Sequence, residues 1–167
     1  MSMTMALLGG APGVGKTATA RECLGLSAGG SALVQWIDVD ALWAHQPWRV
    51  NDTMIAMLQS NLRAVIEHAA DADVDLLLVT WVFQDASFHD LLESLAPAEV
   101  RTTTVQLRAG EPTWRARFTA DTARPEINAF YTDRYRAAQA TPVDHVIETD
   151  GLDVRSVAQA TMTALGL

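Results

Sequence analysis

The feature that most constrains this chain is a glycine-rich segment near its start, Gly10–Thr17, which reads GAPGVGKT. It matches the pattern G-x-x-x-x-G-K-[ST] at every fixed position. A short apolar run, Thr4–Gly9, precedes it and a helical pattern follows it, which is the context that this pattern needs. Lys16 is also the only lysine in 167 residues, although the chain has twelve basic residues. The segment is therefore predicted to be a loop that binds phosphate groups.

Each residue type in this segment has a role in binding phosphate or its metal ion. Glycines let backbone N–H groups turn inward around a phosphate, and a helix beginning at Lys16 points the positive end of its dipole at the same anion. Lys16 can reach the β- and γ-phosphate oxygens, and the Thr17 hydroxyl can hold Mg²⁺. The predicted nucleotide-binding residues are Gly10, Ala11, Pro12, Gly13, Val14, Gly15, Lys16, Thr17 and Ala18.

The absence of a second lysine excludes one known way of recognising guanine. GTPases of the Ras type read guanine with an N-K-x-D motif, and a chain whose single lysine is Lys16 cannot contain one. The expected cofactors are therefore ATP and Mg²⁺.

Composition limits the partners. A formal net charge of -8 and a pI near 4.8 argue against a nucleic-acid partner, because proteins that grip the phosphate backbone show a basic face. Cys23 is the single cysteine, which excludes a disulfide framework. The N-terminus lacks the basic residues and length of a signal peptide, and no apolar run reaches the ~18 residues typical of a membrane span. We expect one domain over residues 1–167, cytoplasmic and without a membrane partner, acting as a monomer or homodimer.

Apolar runs and helical periodicities alternate along the chain. The predicted strands are Thr4–Gly9, Leu33–Val39, Leu76–Val82, Thr102–Leu107 and Val143–Thr149. The predicted helices are Lys16–Leu26, Asn51–Ala70, Ala86–Leu95, Pro112 to about Ala123, Ile127–Ala140 and Val154–Leu165. This alternation predicts an α/β fold with a five-stranded parallel sheet and helices on both faces.

Two aspartates end the second predicted strand, in the sequence Trp36-Ile-Asp38-Val-Asp40. Residues i and i+2 of a strand point to the same side, so both carboxylates face the carboxyl edge of the sheet, where ligands of open α/β sheets bind. One carboxylate near Mg²⁺ and one near an acceptor hydroxyl would suit in-line transfer of a phosphoryl group to an alcohol.

With these motifs in this order, the chain resembles the small P-loop metabolite kinases, such as shikimate kinase, gluconate kinase and chloramphenicol phosphotransferase. The resemblance implies a P-loop NTPase three-layer fold with the strand order 2-3-1-4-5 and a small helical lid at about residues 110–140. It also implies that Asp38 lies near the metal, and that Asp40 binds the acceptor hydroxyl and takes its proton.

The chain departs from these kinases after its third predicted strand. Shikimate kinases have a Gly-Gly-Gly segment there, whereas this chain has Val79–Phe83, VTWVF, which disfavours shikimate as the acceptor. Many P-loop enzymes end this strand with a metal-holding aspartate, and Thr80 stands at that position. Thr17 and Asp38 are therefore the predicted metal ligands.

An arginine-rich segment follows the fourth predicted strand. In the kinases that the chain resembles, a lid closes here and delivers arginines to the transferring phosphoryl group, a role suited to a permanently charged, bidentate guanidinium. Arg117 and Arg124 are the first candidates, and Arg124-Pro125 is similar to an Arg-Pro pair at the lid edge of shikimate kinases. The segment contains Arg115, Arg117, Arg124, Arg134 and Arg136.

Four tryptophans fall where an acceptor would bind in such a fold: Trp36, Trp43, Trp48 and Trp81. We expect at least two of them to line an apolar pocket, which favours a bulky or aromatic alcohol over a small polyol.

The predicted function is transfer of the γ-phosphate of ATP to a hydroxyl of a small molecule. Three alternatives stay open: a nucleoside monophosphate kinase, a nucleotide-binding regulatory module that has no acceptor, and a toxin-like kinase that acts on a nucleotide sugar. The predicted catalytic residues are Lys16, Asp40, Arg117 and Arg124.

Overall fold

The computed structural model describes residues 2–167. Its strands are β1 (Thr4–Gly10), β2 (Val34–Asp38), β3 (Leu76–Thr80), β4 (Arg101–Arg108) and β5 (His145–Glu148). Its α-helices are α1 (Lys16–Ser27), α2 (Asp52–Asp71), α3 (Ala86–Leu95), α4 (Glu111–Ala120), α5 (Ala129–Ala140) and α6 (Val154–Ala164), and a 3-10 helix, Val39–Trp43, follows β2. Within this described range no helix is both long and apolar enough to cross a membrane.

The five strands form one parallel sheet in the order β2-β3-β1-β4-β5. This confirms the predicted α/β class and the predicted strand order. β1 lies at the centre, with Leu8 paired to Thr80 of β3 and Gly10 paired to Leu107 of β4. Because all strands run the same way, the loops that follow β1, β2 and β3 meet at one edge of the sheet.

Each face of the sheet carries its own core, as the predicted three-layer arrangement requires. One core combines side chains of α1, α4, α5 and α6, and the other combines side chains of α2 and α3. On α2 the buried residues Leu58, Leu62 and Ile66 recur every fourth position, the spacing of an amphipathic helix. On α4 the fully buried side chains are Trp114 and Phe118, which hold this helix against the sheet and the loop after β1.

Two predicted boundaries are wrong at points that matter for the site. β3 ends at Thr80 rather than Val82, and its pairing with both neighbours stops there, at Asp38 of β2 and Leu8 of β1. α4 ends at Ala120 rather than Ala123, because the Asp121 carboxylate accepts a hydrogen bond from the Ala123 amide at 3.1 Å and turns the chain.

Candidate active site

The loop between β1 and α1 has the backbone that its glycines allow. Gly10, Gly13 and Gly15 have φ values of 149°, 83° and 113°, which residues with a side chain rarely adopt. A Cβ on Gly10 would lie 2.7 Å from Val14 Cγ1 and 2.9 Å from the Leu107 carbonyl oxygen. No side chain caps the start of α1, so its first-turn N–H groups are available to an anion.

Lys16 lies under this loop. Its Nζ donates hydrogen bonds to the carbonyl oxygens of Gly10 at 2.8 Å and Ala11 at 3.0 Å. Burial, followed by the positive charge of Arg124, lowers the pKa of Lys16 to about 8, while the carboxylates of Asp38 and Asp40 act in the opposite direction. At neutral pH the ammonium group is therefore still mostly charged and is matched to an anionic ligand.

A pocket of about 390 Å³ opens at this loop, and we call it the phosphate pocket. Four segments bring all the predicted catalytic and metal-binding side chains to its wall: Lys16, Thr17, Asp38, Asp40, Arg117 and Arg124. The other predicted nucleotide-binding residues on its wall are Pro12, Gly13, Gly15 and Ala18. Gly10 and Ala11 instead face Lys16 with their carbonyl groups, and the Val14 side chain is buried. The roles of these residues stay predictions.

The two aspartates have different environments. Asp38 accepts a hydrogen bond from the Asp40 amide at 3.0 Å and thereby caps the 3-10 helix. Asp40 accepts a hydrogen bond from Trp81 Nε1 at 3.2 Å. Partial desolvation at the pocket wall and the neighbouring Asp38 carboxylate raise the pKa of Asp40, while the Trp81 N–H and Lys16 act in the opposite direction. The surroundings of Asp40 therefore favour accepting a proton.

The donor set fits Mg²⁺, which prefers oxygen ligands and usually keeps several waters and phosphate oxygens. Thr17 offers a hydroxyl and Asp38 a carboxylate in the phosphate pocket. Thr80 is already occupied, since its Oγ1 accepts from Trp36 Nε1 at 2.9 Å and donates to the Ile37 carbonyl oxygen. Residues 2–167 hold no cluster of three or more His, Cys, Asp or Glu that could bind a metal alone, so the nucleotide would supply further ligands.

Arg117 lies between the phosphate pocket and a second pocket of about 440 Å³ beside α6. Its guanidinium donates to the Thr149 hydroxyl at 2.7 Å, to the Thr149 carbonyl oxygen at 2.9 Å and to the Val14 carbonyl oxygen at 3.4 Å. Leu152, Val154 and the α6 residue Val157 add an apolar wall to this pocket, which we call the side pocket. The hydrogen bonds to Thr149 join α4 to the loop after β5. No local sequence pattern predicts this contact, because the two residues are far apart in the chain.

The other arginines of the segment separate by position. Arg124 lies over the Phe118 ring at 5.2 Å and pairs with Asp121 at 3.0 Å, and it reaches the phosphate pocket from the exposed stretch between α4 and α5. Arg115 and Arg136 form ion pairs with Glu111 and Asp133 on their own helices, outside the pockets. Because α4 is anchored by buried aromatic residues, the longest continuously exposed stretch of the predicted lid is residues 119–126; its movement stays a prediction.

A third cavity, of about 680 Å³, adjoins the phosphate pocket and is lined mainly by apolar side chains. We call it the aromatic cavity, and its aromatic lining residues are Trp43, Trp48, Trp81, Phe88 and Phe130. Three of the four tryptophans singled out in the sequence therefore line one cavity. Trp36 does not, because it packs on the opposite face of the sheet, where its indole is bonded to Thr80. Phe88 and Phe130 were missed, since they come from α3 and α5, far away in sequence, and Arg134, expected in the arginine-rich lid segment, lines this cavity instead of the phosphate pocket.

Known proteins resemble this chain in their fold and not in their overall sequence. No protein-family model matches the sequence, and no curated protein sequence matches it significantly. The structure superposes with a TM-score of 0.72 on a tunicamycin resistance protein from Deinococcus radiodurans, which is 19% identical, over 99% of this chain and 96% of that one. The fold is that of the P-loop small-molecule kinases.

Two further solved structures bear this out. A gluconokinase from Sinorhizobium meliloti 1021 matches with a TM-score of 0.65 and 14% identity, over 99% of this chain and 93% of that one. The APS kinase of Mycobacterium tuberculosis, solved with AMPPNP and APS, matches with a TM-score of 0.68 and 17% identity, over 99% of both chains. At these identities the likeness establishes the architecture, which was the predicted one.

Proposed function

We propose that this protein is an ATP-dependent phosphotransferase that moves the γ-phosphate of ATP to a hydroxyl group of a small molecule. The observation that carries the proposal is a shared wall, since Pro12, Asp40, Trp81 and Val82 line both the phosphate pocket and the aromatic cavity. A hydroxyl held in the cavity at Asp40 would face a phosphate held by the loop. The kinase fold of the chain supports the same reading.

The nucleotide half of the site follows from the loop. The backbone of residues 12–17 and the start of α1 would hold the β-phosphate, with Lys16 exchanging its carbonyl partners for phosphate oxygens. The side pocket, between Arg117 and Thr149 on one side and Val157 on the other, is the space on the α6 side of this loop for a nucleoside. In this reading Arg117, which also lines the side pocket, orients the nucleotide, whereas Arg124, which lines only the phosphate pocket, contacts the transferring group.

The chemistry is an in-line displacement. The acceptor oxygen forms a bond to the γ-phosphorus, the bond from that phosphorus to the β–γ bridging oxygen breaks, and ADP leaves. Asp40 receives the hydroxyl proton, for which its raised pKa is suitable. Lys16 and Arg124 stabilise the charge on the non-bridging oxygens. When bound, Mg²⁺ supplies charge neutralisation at the phosphates, and Thr17 and Asp38 are the residues that would hold it.

The acceptor that fits is bulky or aromatic. A cavity of about 680 Å³ with five aromatic lining residues suits a ligand larger than a small polyol. A nucleoside monophosphate fits less well, because Arg134 is the single cationic residue on this wall to meet a dianionic phosphate.

The test is ADP release with Mg-ATP across a panel of acceptors that contains gluconate, shikimate, nucleosides, nucleoside monophosphates and aromatic alcohols. We expect release that rises with a bulky alcohol and is lost in Lys16→Ala. Arg115→Ala is the matched control, because Arg115 lies on the same helix as Arg117 but outside the pockets, and it should keep the wild-type rate. ATP binding without acceptor-dependent release would instead favour a regulatory module, to which Thr80 in place of an acid also points.

A further inference from the structure

Exposed apolar side chains gather at the mouth of the aromatic cavity. Trp48, Val50 and Phe130 are exposed by 56%, 58% and 57%, and Ile55 by 39%, and all four line this cavity. We call these four residues the cavity rim. They come from two segments far apart in sequence, residues 48–55 around the start of α2 and the first turn of α5. Exposed apolar groups that converge on one cavity indicate a binding surface more than chance exposure does.

The tryptophan of the rim is held in place by its neighbours. The Trp48 ring stacks on His45 with centroids 4.8 Å apart and meets Trp43 edge-on at 5.2 Å. His45 is fixed in turn, since its Nε2 accepts a hydrogen bond from the Arg49 amide at 3.2 Å. A surface tryptophan packed in this way presents a preorganised apolar face, which lowers the entropy cost of binding a ligand.

The rim residues and the reacting groups belong to different parts of the cavity wall. Asp40 and Trp81 line both the cavity and the phosphate pocket, whereas the rim residues line only the cavity. A molecule that brings a hydroxyl to Asp40 and fills the cavity therefore has its other end at Trp48 and Phe130. There the side chains of the cavity rim offer apolar surface to the part of the molecule that extends out of the cavity.

We propose that the acceptor is an amphiphilic alcohol whose hydroxyl-bearing head lies at Asp40 and whose apolar arm leaves the cavity between Trp48 and Phe130. The inference rests on the proposed function and deepens it by naming the chemical class of the acceptor. When the acceptor binds, its apolar arm covers the cavity rim. The affinity of the protein for the acceptor therefore increases with the length of the arm.

The experiment uses n-alkyl β-D-glucosides with butyl, hexyl and octyl chains as probes, below their micelle concentrations. Their binding to the protein saturated with Mg-AMPPNP is measured by calorimetry, and ADP release with Mg-ATP is measured in parallel. In the wild-type protein we expect affinity to rise about three- to fourfold for each methylene that the rim buries. In Trp48→Ala and in Phe130→Ala we expect octyl glucoside to lose about tenfold in affinity and butyl glucoside less than about twofold.

Leu33→Ala is the matched control, because Leu33 is exposed by 51% but lies outside the cavity. It should leave the chain-length dependence unchanged. The inference is overturned if no glucoside binds, if affinity does not depend on chain length, or if the dependence survives both rim substitutions. A homodimer that dissociates in Phe130→Ala would also overturn it, since a second copy would then cover the rim. Chain-length-dependent binding without ADP release would contradict the proposed function alone, and ADP release without that dependence would contradict this inference alone.

Discussion

The hydrogen bond from Trp81 to Asp40 joins the wall of the aromatic cavity to the proposed base. Trp81→Phe removes this donor but keeps an aromatic ring against Phe83 and Phe88, which Trp81 meets at 5.9 and 4.9 Å. We expect kcat to fall at least about tenfold, because the Asp40 carboxylate loses the donor that orients it, and a hydrogen bond to a charged group contributes about 1.5–3 kcal/mol. The acceptor KM should change by less than about twofold. Steady-state kinetics with the acceptor found in the ADP-release panel checks this.

Trp48→Phe is the comparison for that variant. Trp48 lines the same cavity, but Asp40 receives its indole hydrogen bond from Trp81. A change in KM with kcat preserved is expected for Trp48→Phe, the reverse of the pattern for Trp81→Phe. Equal effects on kcat in the two variants would show that Trp81 acts only as part of the wall.

At the scale of elements, α4 is tied to the loop after β1 by one side chain. Trp114 Nε1 donates to the Pro12 carbonyl oxygen at 2.7 Å, and the Trp114 ring stacks on Tyr135 of α5 at 4.5 Å. Trp114→Phe leaves the Pro12 carbonyl without this donor, which costs about 1–3 kcal/mol of stability. It also loosens the loop, so we expect the affinity for Mg-AMPPNP to fall several-fold. Urea unfolding and calorimetric titration measure the two effects.

Tyr135→Phe separates the loop from general packing. The Tyr135 hydroxyl donates to the Ala109 carbonyl oxygen at 3.0 Å in the same aromatic group but does not contact the loop. We expect this variant to lose stability while its affinity for Mg-AMPPNP stays at the wild-type value. If both variants weaken nucleotide binding equally, the bond from Trp114 to Pro12 has no special role.

At the scale of the whole molecule, the sequence predicted the features that are set by residues close together in the chain. It did not predict the features that are set by contacts between distant segments. The loop Gly10–Thr17 and the pair Asp38 and Asp40 are local patterns whose chemistry is set by spacing, and the structure brings them to one pocket. The strand order was predicted from the resemblance to the small P-loop metabolite kinases, which rests on those motifs. The side of the sheet on which Trp36 packs, the bonds of Arg117 to Thr149 and the place of Phe130 in the cavity are set by tertiary packing. Periodicity along one segment does not record contacts between segments.

The stability of the whole chain should depend on pH above neutrality through two buried groups of opposite effect. Burial lowers the pKa of Lys16 from 10.5 to about 8, so between these values the unfolded chain binds more protons and the free energy of unfolding rises with pH. Burial raises the pKa of Cys23 from 9.0 to about 11, so the contribution of the protonated thiol is lost as pH rises through that window. We therefore expect stability to increase from about pH 8 to about pH 9 and to level off or fall above it.

Substitution of Lys16 isolates its part of this dependence. Lys16→Met removes a charge that is partly buried beside Arg124 and also removes the two hydrogen bonds to the Gly10 and Ala11 carbonyl oxygens, so its part is measured by the pH dependence of stability and not by stability at one pH. Relative to this variant the wild type should gain stability as pH rises from about 8 toward 10.5, because over this range the folded lysine has lost its proton and the unfolded one still holds it. Urea unfolding of both proteins at several pH values between 7 and 10 measures it. A difference in stability between the two proteins that stays constant from pH 7 to pH 10 would contradict this, because a lysine whose pKa is lowered by folding must bring such a dependence.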